Sequence, residues 1–250
     1  MKLPFDTDAG IGTRATLGVI VLETDETLEP EFARMMALDG VALYHSRIPM
    51  APEVRPDTLA RMEADLPAAA RLLPSAPAFD VIGYGCTSAA TVIGSDAVAR
   101  AIQEVFSRVR VTDPLAAIIA AGQALGVRRL GFLTPYVPQV SAQMRDRLAD
   151  AGFEIADFGS FEEGDDRVVA RIAPASIDRG ARQVAAGAEA VVIACTNLRC
   201  LPVIPRIEAA TGVPVIASNL ALGWHMLRLA GVGDCLPQFG RLFATQLAAD

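Results

Sequence analysis

Phe79-Asp80-Val81-Ile82-Gly83-Tyr84-Gly85-Cys86-Thr87-Ser88 and Ala190-Val191-Val192-Ile193-Ala194-Cys195-Thr196-Asn197 have the same composition in the same order: a short apolar run, then a small residue, a cysteine, a threonine and a second small polar residue. A Val- and Ile-rich run bounded by such a polar cluster reads as a buried strand ending in a loop. Working outward, Leu17–Leu22, Val41–Tyr44, Phe79–Tyr84 and Val109–Val111 make one set of strands. Leu130–Leu133, Phe153–Asp157, Ala190–Ala194 and Val213–Ala217 make a second. The first three strands of each set follow at nearly equal intervals, so the chain reads as a duplication with Cys86 and Cys195 at equivalent positions.

Helical patterns fill the gaps between strands, as where Leu59, Met62, Leu66, Ala70 and Leu73 recur at spacings of three and four after Pro56-Asp57. Buried strands alternating with helices require crossover connections and therefore a parallel sheet. The expected fold is α/β, two similar lobes with parallel sheets related by a pseudo-twofold axis. The lobes are expected at 1–112 and 113–216, with a C-terminal helical segment, 217–250, packing back on the first. Pro202 and Pro205 interrupt the helix expected after Cys195.

Composition narrows the function. A net charge of −7 and 6% aromatic residues leave no basic stripe and few stacking surfaces for nucleic acid, so a small molecule is the expected partner. The longest weakly polar run, Leu115 to Leu125, is about half a membrane span. Met1 to Gly10 carries Pro4 and three charges where a signal peptide would be apolar, which points to the cytoplasm. Four cysteines in a chain of 250 residues then read as thiols, not as a disulfide framework.

Residues just beyond the carboxyl end of a parallel strand line the ligand crevice, where the next helix also points its N-terminus. Cys86 and Cys195 are both expected there, facing one cleft. A helix N-terminus lowers a thiol's pKa, and one thiolate opposite one thiol supplies a base and an acid across a substrate. Thr87, Ser88, Thr196 and Asn197 offer uncharged donors for a carboxylate or a developing enolate, although the same residue types also simply cap helices. Cys200 and Cys235 read as small structural residues. Gly83-Tyr84-Gly85 lacks the third glycine of a dinucleotide fingerprint, there is no P-loop, and His45, His225 and the cysteine spacings do not suggest zinc, so no cofactor and no metal are expected. The acidic run Glu162, Glu163, Asp165 and Asp166 reads as a solvated loop.

Together, Gly-Cys-Thr-Ser at 85–88 and Cys-Thr-Asn at 195–197 resemble the aspartate/glutamate racemase superfamily. Gly83 to Ala89, Val92-Ile93-Gly94, Thr134-Pro135-Tyr136, Ser218-Asn219 and Trp224 are similar to its maleate cis–trans isomerase and arylmalonate decarboxylase branch. The resemblance implies flavodoxin-like lobes, no cofactor, and a cofactor-independent two-cysteine isomerase in which Cys86 attacks a double bond, Cys195 manages the proton and Tyr136 meets the substrate carboxylate. Enzymes of this size commonly form symmetric assemblies, and a homodimer or homotetramer is expected.

The chain departs from the isomerase pattern where that family carries asparagine: it reads Leu22-Glu23-Thr24-Asp25-Glu26-Thr27 after the first strand and only acidic residues between Phe161 and Asp166. An ionised Asp cannot donate to a carboxylate and repels it. Thr24 to Thr27 and Asp165-Asp166-Arg167-Val168 resemble instead the ectoine and hydroxyectoine utilisation proteins of the same branch, whose substrates join a carboxylate to a cyclic amidinium; Asp25 is then a substrate-binding residue. An arylmalonate-type decarboxylase, which typically keeps one of the two cysteines, and a non-catalytic metabolite-binding subunit are the remaining alternatives.

Overall fold

A computed structural model describes residues 1–51 and 54–248. The first half runs β1 (Ala15–Leu22), α1 (Leu28–Met35), β2 (Val41–Ile48), α2 (Pro56–Ala70), β3 (Val81–Gly85), α3 (Thr87–Ile93), α4 (Ser95–Gln103), β4 (Arg110–Thr112) and α5 (Pro114–Ala124). The second half runs β5 (Arg129–Thr134), α6 (Pro138–Asp150), β6 (Glu154–Ser160), α7 (Asp166–Val169), α8 (Pro174–Gln183), β7 (Ala190–Ile193), α9 (Ile204–Thr211), β8 (Val215–Ala217) and α10 (Ser218–Leu229). Two four-stranded sheets, β2-β1-β3-β4 and β6-β5-β7-β8, repeat one strand order, and every pairing is parallel. The chain is an α/β protein of two similar lobes.

The central strands β1, β3 and β7 are buried along their whole length, which is why each reads as an unbroken apolar run. The edge strand β2 continues to Ile48, four residues past its apolar start, with Leu22 paired to Ile48. Beyond that start, His45 and Arg47 are exposed while Ser46 and Ile48 are buried, the alternation of an edge strand that leaves one face to solvent.

Two glycines before Cys86 serve close packing. A Cβ on Gly83 would lie 2.6 Å from the Met226 sulfur of α10, and one on Gly85 would lie 2.6 Å from Leu28 at the start of α1. The Gly-Tyr-Gly sequence thus lets two helices press against the strand that carries Cys86. Helix α10 packs on β3, α1 and α5. Among the described residues, no helix is long and apolar enough to cross a membrane.

Candidate active site

Cys86 follows β3 and is the N-cap of α3, its sulfur accepting the Ala89 N–H at 3.3 Å with the Ser88 hydroxyl 3.6 Å away. The expected lowering of its pKa is overturned. Burial pushes the thiol up to about 12, outweighing the Ala89 N–H, the Ser88 hydroxyl and the Tyr84 hydroxyl, all of which favour the thiolate. A helix of seven residues and a few neutral dipoles do not replace the hydration a thiolate loses in a buried site.

Cys195 was expected at an equivalent helix N-terminus, and here too the structure differs. After β7 the chain makes turns, and α9 begins only at Ile204, with Pro205 in its first turn. The prolines defer the helix, so Cys195 sits on an irregular loop. Its φ of 151° lies in a region that residues bearing a Cβ rarely adopt. Its N–H donates to the Ser218 hydroxyl at 3.0 Å, and the Asn197 N–H lies 3.4 Å from its sulfur. Burial, then the Asp166 charge, push this thiol well above its ordinary value, while Tyr136 acts on it as a hydrogen-bond donor.

The two loops are bonded to each other. The Thr87 hydroxyl donates to Ser218 at 2.8 Å, and Ser218 in turn holds the Cys195 N–H. The Thr196 hydroxyl donates to the Gly85 carbonyl at 3.2 Å. Tyr136 and Asp166 each act electrostatically on both thiols. One chain of side chains therefore joins the Cys86 turn in the first lobe to the Cys195 loop in the second, and both thiols face shared groups.

Tyr136 stands just beyond β5, 2% exposed, its carbonyl accepting hydroxyls from Ser141 at 3.1 Å and Ser160 at 2.6 Å. Asp25 is 2% exposed, and its Oδ1 accepts the Thr27 and Leu28 N–H groups, each at 2.7 Å. Its Oδ2 is buried and makes no hydrogen bond among the described residues, the nearby Thr196 hydroxyl being turned to the Gly85 carbonyl. Burial raises its pKa to about 6 against the pull of those two N–H groups and the Thr196 hydroxyl, and Asp166 raises it further. The Asn197 side chain is occupied by the framework: Oδ1 accepts the Glu26 N–H at 2.9 Å, and Nδ2 faces the Asp166 carbonyl at 3.1 Å and Asp166 Oδ2 at 3.0 Å.

Asp166, Ser218 and Tyr84 belong to the site although residue-type reasoning did not select them as site residues. The solvated-loop reading holds for Glu162, which is exposed, and for Asp165, which is partly exposed and paired with Arg167 at 2.7 Å. It fails for Asp166, 3% exposed, whose Oδ2 accepts the Thr24 hydroxyl at 2.6 Å. Burial raises its pKa. The available signal was local: Asp165 caps α7, and the residue after a cap, followed by Val168-Val169, begins a helix with an inward face. Ser218 stood next to Asn219 in the branch motif without a role that spacing alone would reveal.

Two lobes of 2-1-3-4 strand order, each delivering a Cys-Thr loop to one buried site, define a two-cysteine protein of the aspartate/glutamate racemase superfamily. The profile of the arylmalonate decarboxylase family matches residues 64–243, and the chain belongs to that family. Maleate isomerase from Pseudomonas putida is 27% identical over 91% of this chain and 96% of its own. Arylmalonate decarboxylase from Bordetella bronchiseptica is 32% identical over 51% of this chain and 55% of its own. Among solved structures, a cysteine-to-serine variant of Nocardia farcinica maleate cis–trans isomerase with a covalently bound succinylcysteine intermediate superposes with a TM-score of 0.83 at 25% identity, covering 92% of this chain and 98% of the other.

Proposed function

We propose that this chain is a cofactor-independent isomerase acting beside a carboxylate on a small substrate, with Cys86 as the nucleophile and Cys195 as the acid and base. The observation that carries the reading is the bonded pair of loops, Thr87 to Ser218 to Cys195 and Thr196 to Gly85, which ties the two cysteine-bearing turns together and supports a shared site. The Cys86 thiolate adds to one carbon of a double bond while Cys195 delivers a proton to the other. The new single bond rotates, Cys195 takes a proton back, and elimination restores the double bond and the Cys86 thiolate. Covalent addition replaces a high rotation barrier by two lower ones. Because burial holds both thiols protonated, Cys86 must shed its proton on substrate binding, and Asp166, a carboxylate of raised pKa that acts on Cys86, is the nearby acceptor. Tyr136, Ser88 and the N–H groups after each cysteine donate to the substrate carboxylate; Thr87, Thr196 and Asn197 hold the loops that present them.

A second reading rests on the unpartnered Oδ2 of Asp25 and the neighbouring Asp166. Two buried carboxylates suit a substrate that joins a cationic nitrogen to its carboxylate, as in ectoine or hydroxyectoine utilisation, better than a dianion. Proton NMR of the protein with maleate in D2O tests both. Fumarate formed over many turnovers and lost in Cys86→Ser supports the first reading. No change with maleate, together with turnover or deuterium exchange of hydroxyectoine, supports the second.

We also place the enzyme in the cytoplasm as a homodimer or homotetramer, with lobes at 1–112 and 113–216 and the segment 217–250 belonging to the first. The packing of α10 on β3 and α1 supports assigning the C-terminal segment to the first lobe. Light scattering measures the assembly.

A further inference from the structure

Glu31 lies on α1, in the first lobe, only 6% exposed. Its Oε1 accepts the Leu201 N–H at 2.8 Å and its Oε2 accepts the Asn219 Nδ2–H at 2.9 Å. The same Asn219 Nδ2 also donates to the Thr196 carbonyl at 2.7 Å. One carboxylate thus reaches across the lobes and holds the Cys195 loop at two places, directly at Leu201 and through Asn219 at Thr196.

That loop needs external support. No helix starts at Cys195, so the backbone groups that follow it are not gathered into a helical ladder, and the φ of 151° at Cys195 persists only if its surroundings over-determine it. Ser218 holds the residue's N–H, Thr27 donates its hydroxyl to the Asn197 carbonyl at 3.0 Å, and Glu31 fixes the stretch from Thr196 to Leu201. The carboxylate is a costly choice for a buried position: desolvation, and to a smaller extent Asp25, push its pKa up to about 7 against its donors. What a carboxylate supplies that a neutral amide does not is two acceptor oxygens on one rigid group, matched here to two N–H donors.

We infer that Glu31 is a positioning residue for Cys195, holding the loop from Thr196 to Leu201 so that the thiol faces the substrate. It touches neither thiol in this role. The inference rests on the reading of Cys195 as the acid and base, and it predicts an asymmetry between the two cysteines. Glu31→Gln keeps the shape and one acceptor but turns its own NH2 donor toward one of the two donors, the Leu201 N–H or the Asn219 Nδ2–H, that Glu31 accepts. Asn219→Ala cuts the link to Thr196 from the other side and leaves Glu31 with Leu201.

The test uses both variants of the full chain, checked for folding by circular dichroism. Iodoacetamide modification of each cysteine is followed by peptide mass spectrometry, alongside steady-state kinetics on whichever substrate the wild type turns over. The expected result is Cys195 alkylation changed at least about threefold with Cys86 unchanged within a factor of two. With it, kcat should fall roughly tenfold while KM moves less than twofold, as for lost alignment in the transition state. Equal changes at both cysteines, or none at Cys195, in a folded variant overturns the inference. If Glu31→Gln does not fold, Asn219→Ala decides by the same criteria. The alkylation arm needs no substrate, so a failure of the proposed isomerisation leaves this result readable and separate.

Discussion

Cys86 and Cys195 end equivalent strands of equivalent lobes, yet their supports differ in kind. Cys86 is seated by its own sequence: it caps α3, takes the N–H of Ala89 three residues on, and rests on glycines that admit α1 and α10. Cys195 is seated by distant parts of the chain: Ser218 and Asn219 from α10, Thr27 and Glu31 from the first lobe. Duplication conserved where the thiols stand and not how they are held. A locally defined nucleophile can stay fixed while a remotely held acid and base is adjusted through its supports.

The sharpest way to break this comparison is to remove each thiol in turn. Cys86→Ser and Cys195→Ser should each lower kcat by about a thousandfold or more, but only Cys195→Ser, with Cys86 intact, should accumulate substrate mass on the protein in intact mass spectrometry. Adducts in both variants, or in neither, would make the thiols interchangeable or non-covalent.

Next in size is the charge of the shared site. Asp25→Asn removes a negative charge from the site and should raise kcat/KM for maleate by roughly tenfold or more while abolishing turnover of a cationic substrate, whereas Asp166→Asn also removes the acceptor of the Cys86 proton and should lower turnover of either substrate by roughly tenfold or more. Unchanged kinetics with every substrate would remove that carboxylate from the site.

Asp25 also carries a smaller, pH-dependent effect. Its pKa is raised from an ordinary carboxylate value to about 6 by burial, so the folded state binds a proton more tightly than the unfolded state. The stability it contributes is complete below its unfolded pKa and is lost as pH rises through about 6. Asp25→Asn should flatten that part of the Tm profile and add on the order of 1 kcal/mol above pH 7. The smallest effect is expected outside the comparison. Cys235 is exposed, and Cys235→Ser should change stability by less than about 0.5 kcal/mol and remove the thiol that reacts first with a colorimetric reagent.

The fold was legible because the strands that matter are buried on both faces: β1, β3 and β7 carry no polar residue to obscure their runs beyond Thr16 at the start of β1 and the Tyr84 hydroxyl. The second half of β2 was hidden because a half-exposed edge strand needs no apolar run. The two thiols were legible because a repeat turns each into a check on the other. Their protonation was not, since the helix terminus is local and visible whereas burial is the sum of everything packed around the sulfur. Asp166 was hidden among three acidic neighbours that differ from it only in the direction they face. Glu31 and Asn219 are separated by most of the chain, and nothing in either neighbourhood announces the other.

The φ of 151° at Cys195 gives the position an evolutionary tilt. Glycine would occupy that backbone without strain, so every generation offers a more comfortable fold at the expense of the thiol. Cys195→Gly would relieve that backbone and Cys86→Gly would not, because the backbone at Cys86 is already extended.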